Sequence, residues 1–155
     1  MKPIYTKPKL LNLSQGARIA FVRQFRLMSQ DEVAGKLGLT EDNKRRTITR
    51  YEKGDRHPKL ERINDIANIL NVDSNAIKEY SGETIDDLFS IFLWLEELLP
   101  NYKIDLSNVS EFNNQYIEPV NSFINEWDEI KSKRKNNLIS YEEYIEWKIN
   151  YRRNF

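Results

Sequence analysis

The sequence predicts an all-α protein, with five short helices before residue 82 and a smaller helical domain after it. Two segments begin with a capping-box pattern, at Ser29 and at Ser140, which is typical of helix N-termini. Apolar residues recur at helical spacing, most densely in Thr84–Leu99. Strand-like alternation occurs in residues 101–113, but one short strand lacks an obvious partner, so we predict irregular structure there.

Charge divides the chain into two halves. The formal net charge is zero, but residues 1–82 hold 16 Lys and Arg against 10 Asp and Glu, and residues 83–155 hold 8 against 14. We predict a basic N-terminal arm at 1–13, a helical domain at 14–82 and a second helical domain at 83–155. A basic half is expected of a nucleic-acid binder. The arm could track a DNA backbone, but we favour a solvated tail.

Local signals place the helices of the first domain. Ser14 precedes an apolar-periodic stretch, and Gly38 ends a helix that begins at Gln30. Asp73 or Ser74 can cap a short fifth helix. The predicted helices cover about residues 14–26 and 30–37, a third that ends near 53, a fourth that follows Pro58 and runs to about 70, and a fifth that ends at 80. The apolar stripe of the fourth helix is predicted to be Leu60, Ile63, Ala67 and Leu70.

The second domain is predicted to contain three helices. Thr84–Leu99 is strongly apolar and is stopped by Pro100. A helix at about residues 119–135 follows, and Ser140 opens the last one. The inward-facing residues are predicted to be Ile85, Leu88, Phe89, Phe92, Leu95 and Leu99 in the first of these helices, and Tyr144, Trp147 and Tyr151 in the last.

Catalytic, cofactor and metal sites are not predicted. Cysteine is absent, so disulfides and thiolate zinc sites are excluded, and the five glycines form no phosphate-binding cluster. The single histidine, His57, precedes a proline in a predicted loop. The pairs Asp86-Asp87 and Glu96-Glu97 are interpreted as solvated helix surface. Because no candidate site of these kinds is predicted, we expect a protein that is not an enzyme. No apolar run reaches the ~20 residues of a membrane span, and we expect a cytoplasmic protein.

Residues Met28–Gly54 are predicted to form two short helices around a tight turn, with a basic second helix. Ile48 and Tyr51 lie three apart and share the inward face. Arg46 and Arg50 lie four apart and point elsewhere. A short helix that is apolar inside and carries arginines outside suits the DNA major groove.

These residues carry a resemblance to a known family. The first half has Met28-Ser29-Gln30, Ala34 and Leu37-Gly38, and the second has the run Thr47–Pro58. About residues 14–80 resemble the helix-turn-helix of lambda-repressor/Cro-like (XRE family) transcriptional regulators. Nine residues separate Gly38 from Ile48, four more than the family pattern has. The extra residues could add a helical turn of about 3.6 residues, or they could lengthen the loop.

The resemblance implies DNA-binding roles. Gln30 would hold a phosphate at the start of the second helix. Arg45, Arg46 and Thr47, with Arg50 one turn later, would meet base edges. The implied phosphate contacts are Lys44, Thr49, Lys53 and Arg56. The alternative for any one arginine is a surface salt bridge, worth about 0–1 kcal/mol.

The leading hypothesis is a repressor that binds double-stranded DNA sequence-specifically, as a homodimer through residues 83–155 on a palindromic operator. The resemblance implies a bacterial or mobile-element origin. The alternative is a protein-interaction module, an antitoxin or anti-defence inhibitor, whose acidic C-terminal half binds a partner protein.

Overall fold

The computed structural model describes residues 7–39, 44–101 and 117–152 of the 155-residue chain. Across these residues the secondary structure is helical, without a strand, so the predicted all-α class is confirmed. The chain forms two compact units, Met1–Glu79 and Tyr80–Phe155. The helices are α1 (Gln15–Phe25), α2 (Gln30–Lys36), α3 (Lys44–Lys53), α4 (Leu60–Leu70), α5 (Ser74–Ile77), α6 (Ile85–Leu98), α7 (Ile117–Lys135) and α8 (Tyr141–Ile149).

The predicted caps start the helices of the first unit. The Ser29 hydroxyl accepts from the Glu32 N–H, and the Glu32 carboxylate accepts from the Ser29 N–H, which completes the capping box of α2. The Asp73 carboxylate accepts from the Asn75 N–H at the start of α5. Gly38 follows α2 with a φ of +70°, as the turn required. Each of these caps and turns depends on residues close together in the chain, so it could be predicted from the sequence.

The core of the first unit brings α3 against α1 and α2. Gly16 on α1 lies beneath the carboxyl-terminal turn of α3, where a Cβ atom would come within 2.4 Å of the Tyr51 and Glu52 carbonyl oxygens. Only glycine allows that approach. The large side chains buried most deeply in this unit include Phe21, Ile19, Ile48, Ile63, Ile66, Leu70 and Ile77.

Two predictions in α4 and α5 are wrong. Leu60 is 68% exposed, and Ile66 takes the inward place instead. Leu60 is the first residue of α4, and its Cα–Cβ bond tilts towards the helix N-terminus, away from the core. Helix α5 ends at Ile77 rather than Tyr80, because Lys78 is already extended.

Arg18 on α1 secures that early end of α5. It is buried, and its guanidinium donates to the carbonyl oxygens of Leu13, Ala76 and Lys78 at 2.9–3.1 Å. The bonds to Ala76 and Lys78 satisfy backbone acceptors that a longer α5 would have used internally. The burial of Arg18 was not predicted from the sequence.

In the second unit, α6, α7 and α8 supply an aromatic core. Phe89 and Phe123 stack with ring centroids 4.2 Å apart, and Leu93 and Trp127 complete the buried cluster. Leu88 and Leu99 were predicted to face inward, but they are 43% and 42% exposed. The apolar residues of α6 extend round the helix, so its sequence did not single out the face that is buried.

The acidic pairs of α6 are also not the solvated surface we predicted. Asp87 is buried and its Oδ2 accepts from the Ser81 and Gly82 N–H groups, at the helix start. Glu96 and Glu97 pair with the ammonium of Lys148, a buried residue of α8, at 2.5 and 2.9 Å. This pairing joins α6 to α8 inside the unit.

Candidate nucleic-acid interface

Helix α3 has one buried face and one cationic face. Ile48 and Tyr51 are 1% and 6% exposed, whereas Arg46 and Arg50 lie on the exposed side. The predicted division of the helix is therefore present. Among the residues before Ile48 that could form a helical turn or a loop, Lys44 and Arg45 are helical, and residues 40–43 lie outside the described part of the chain.

A hydrogen-bonded network around Glu52 fixes α3 against the preceding helices. Arg23 of α1 donates to both carboxylate oxygens, at 2.5 and 3.1 Å, and the two side chains are 12% and 9% exposed. Arg23 also donates to the Met28 carbonyl oxygen, at 2.8 Å, just before α2. The pair thus holds three successive elements together. The sequence analysis did not identify Glu52 as a partner of Arg23.

Gln30 belongs to the same network. Its amide donates to Glu52 Oε2 at 2.8 Å, and its Oε1 accepts from the Thr49 hydroxyl at 3.0 Å. Thr49 Oγ1 also lies 2.9 Å from the Arg45 carbonyl oxygen, so its one hydrogen serves one acceptor at a time. Gln30 and Thr49 therefore orient each other as well as lying at the surface where the sequence predicted phosphate contacts.

The nine predicted DNA-binding residues divide by exposure. The exposed members are Arg45, Arg46, Arg50, Lys53 and Arg56. The half-buried members are Gln30, Lys44, Thr47 and Thr49.

Arg46 and Arg50 form a ridge between two shallow hollows. The first hollow is lined by Lys44, Arg45, Arg46, Thr49, Arg50, Lys53 and Asp55.

The second hollow, on the α4 side of the ridge, is lined by Gly38, Leu39, Arg46, Thr47, Arg50, Tyr51, Arg56 and Arg62. Arg62 was absent from the predicted set. Arg62 is the third residue of α4, and no sequence signal places it beside Arg56.

The three arginines of α3 are all exposed. Within residues 7–39, 44–101 and 117–152, no ion pair involves Arg45, Arg46 or Arg50. The surface salt bridge that we considered as the alternative for Arg50 is therefore not formed with any described residue. Guanidinium groups of this kind are available for an anionic ligand.

Comparison with protein families assigns this part of the chain. Residues 22–77 match the model of a family described as helix-turn-helix. This match agrees with the resemblance to XRE-family helix-turn-helix domains that the sequence shows. The helix-turn-helix domain contains α2 and α3 and ends with α5. No curated protein and no solved structure matches the chain.

The match to a helix-turn-helix model suggests a DNA-binding role for residues 22–77. The helix-turn-helix domain is followed by the further helices of the second unit. In the described part of the chain, no group of acidic and histidine side chains could hold a metal ion. No described helix has the length and apolar character needed to span a bilayer.

Proposed function

We propose that the protein is a cytoplasmic, sequence-specific repressor that binds double-stranded DNA as a homodimer. The observation that carries this proposal is the exposed arginine ridge of α3, set on a helix anchored by Ile48, Tyr51 and the Glu52 network. Helix α3 enters the major groove, and the bound protein blocks polymerase. The helix-turn-helix assignment of residues 22–77 supports the same conclusion.

Each predicted residue has a role in this proposal. Arg46 and Arg50 donate in pairs to guanine O6 and N7, a contact worth about 1–3 kcal/mol of discrimination. Arg45 and Thr47 meet neighbouring base edges. The remaining members of the set, Gln30, Lys44, Thr49, Lys53 and Arg56, contact phosphates and set the register of the helix.

Dimerisation is assigned to residues 83–155. Leu88 on α6 and Leu99, the residue that follows the helix, are both exposed large apolar side chains. No charged residue lies between Leu88 and Leu95. A two-fold pair of such faces would align two half-sites about 34–36 Å apart, or a multiple of that distance.

Selection of bound duplexes from a random pool tests the proposal. The full chain should enrich a palindrome with guanine in each half-site. A pool that stays random while duplex is retained would contradict sequence-specific binding. A chain that retains no duplex even at low salt would contradict DNA binding altogether, and would favour the protein-interaction alternative, for which the acidic balance of residues 83–155 is the supporting feature.

A further inference from the structure

The second hollow beside α3 concentrates positive charge. It is lined by four arginines, Arg46 and Arg50 from α3, Arg56 from the following loop and Arg62 from α4. No acidic side chain is among the described residues that line it. Within the described part of the chain, none of these four arginines forms an ion pair. Like charges gathered in one place repel one another, so the arrangement of these four arginines favours an anion in the hollow.

The backbone explains why the four side chains meet. The chain reverses after α3 at Gly54, whose φ of +78° suits glycine. The Arg56 N–H then donates to the Arg50 carbonyl oxygen at 3.2 Å, which returns Arg56 to the side of α3. Arg62 follows in the first turn of α4, where its neighbour Ile63 is buried in the core. The hollow is thus part of the folded domain.

The guanidinium and hydroxyl donors that line the hollow suit a tetrahedral oxyanion. Guanidinium groups match phosphate oxygens in pairs, and the Thr47 hydroxyl on the same wall can donate a further hydrogen bond. We propose that this hollow binds one backbone phosphate of DNA, with Arg56 and Arg62 as its principal donors. Arg62 is then a phosphate contact from a third element, beyond the two helices of the helix-turn-helix. This inference rests on the proposed function, since it requires a bound duplex.

The salt dependence of binding to the selected duplex tests the assignment. Arg62→Gln should lower the magnitude of the slope of log affinity against log salt by about 0.9 for each protomer bound. It should weaken binding to the selected duplex and to an unrelated duplex by the same factor. Arg62→Lys keeps the charge and should keep the slope, which also provides a second variant in case Arg62→Gln folds poorly. Lys135→Gln, at the end of α7, removes the same charge and should change neither slope nor affinity.

Duplexes in which one phosphate is replaced by an uncharged methylphosphonate identify the phosphate that is contacted. Methylphosphonate placed at one position at a time should weaken wild-type binding at the contacted position. At that same position it should cost the Arg62→Gln variant no additional affinity, because the partner charge is already absent. The two changes would then be coupled in a double-mutant cycle.

Four results would overturn the inference. An unchanged slope for Arg62→Gln removes the phosphate contact but leaves the proposed function standing. A change in base preference at one position would make Arg62 a base contact instead. Saturable binding of inorganic phosphate that Arg62→Gln abolishes, with duplex affinity intact, would assign the hollow to a free anion. Failure of the wild-type chain to bind any duplex overturns the proposed function and this inference together.

Discussion

Glu52 shows how one carboxylate sets the position of α3. It accepts two hydrogen bonds from Arg23 and one from Gln30, and it is mostly buried. A helix that reads bases needs such support, because its contacts depend on positioning to a fraction of an ångström.

Removing this carboxylate should destabilise the first unit. Glu52→Ala leaves the Arg23 guanidinium nearly buried without its counter-charge, which costs about 3 kcal/mol. Urea unfolding followed by far-ultraviolet circular dichroism measures the change. Glu61→Ala, at an exposed position of α4, is the matched control and should shift the midpoint little. Equal midpoints for the two variants would mean that the network does not stabilise the unit.

Tyr144 gives the second unit a pH-dependent stability. Burial, followed by the negative charge of Glu96, raises the pKa of the Tyr144 phenol above its ordinary value of 10.0. Above pH 10 the unfolded chain ionises this tyrosine and the folded chain does not, so its contribution is present at neutral pH and is lost as pH rises.

The corresponding variant is Tyr144→Phe. The wild-type chain should lose more free energy of unfolding between pH 9 and 11 than the variant loses, although the variant is less stable at pH 7 through the loss of the Trp127 and Glu96 hydrogen bonds. Tryptophan fluorescence follows this unit, because all three tryptophans lie within it. Parallel pH profiles would show that Tyr144 does not titrate as stated.

At the scale of elements, the approach of α1 to α3 depends on Gly16. A Cβ atom there would meet two backbone carbonyl oxygens at 2.4 Å, and backbone cannot swing aside as a side chain can. Gly16→Ala should therefore destabilise the first unit by about 3 kcal/mol, at the upper end of overpacking costs, and weaken operator binding by displacing α3.

Gly35→Ala is the control for that prediction. Gly35 lies in α2, and its added Cβ would meet only the end of the Lys44 side chain at 3.5 Å. Alanine is the better helix former by about 1 kcal/mol, so this variant should be slightly more stable than the wild type. Thermal unfolding measures the difference. A melting temperature of Gly16→Ala equal to or above that of Gly35→Ala would contradict the packing described.

The elements that sequence predicts correctly are those specified locally. The Ser29 and Ser140 capping boxes each lie within four residues, and the inward Ile48 and Tyr51 lie within one turn. Buried Arg18 escaped prediction, because its acceptors Ala76 and Lys78 lie 58 and 60 residues away. The same reason applies to the ion pair between Lys148 and Glu97, which spans 51 residues.

In the candidate site too, the sequence predicts local features and misses those that depend on distant contacts. The exposed arginines of α3 could be predicted from spacing alone, since they share one helix. Arg62 could not be added to them, because its place beside Arg56 depends on the chain reversal at Gly54 and on how α4 packs. The prediction that Leu88 and Leu99 face inward was wrong, because the packing of α7 and α8 decides which apolar face of α6 is covered. The sequence of α6 alone does not show that packing.

For the whole molecule, the two units have different proposed tasks. The first supplies the DNA-binding surface, and the second supplies self-association through the exposed side of α6. Leu88→Lys should place a charge in that interface and convert the dimer to a monomer, as measured by sedimentation equilibrium. Leu138→Lys, at a 71% exposed position outside α6, should leave the dimer intact. A wild-type chain that is monomeric at the concentrations where it binds operator would contradict the assignment.

The most direct test of the central claim removes the ridge itself. Arg46→Ala with Arg50→Ala should weaken binding to the selected duplex by at least about 30-fold, since each arginine contributes about 1–3 kcal/mol, and helicity should be unchanged by circular dichroism. The control, Lys133→Ala with Lys135→Ala, removes the same charge from the end of α7 and should bind as the wild type does. If the arginine double variant retains wild-type affinity and sequence preference, α3 is not the helix that reads DNA.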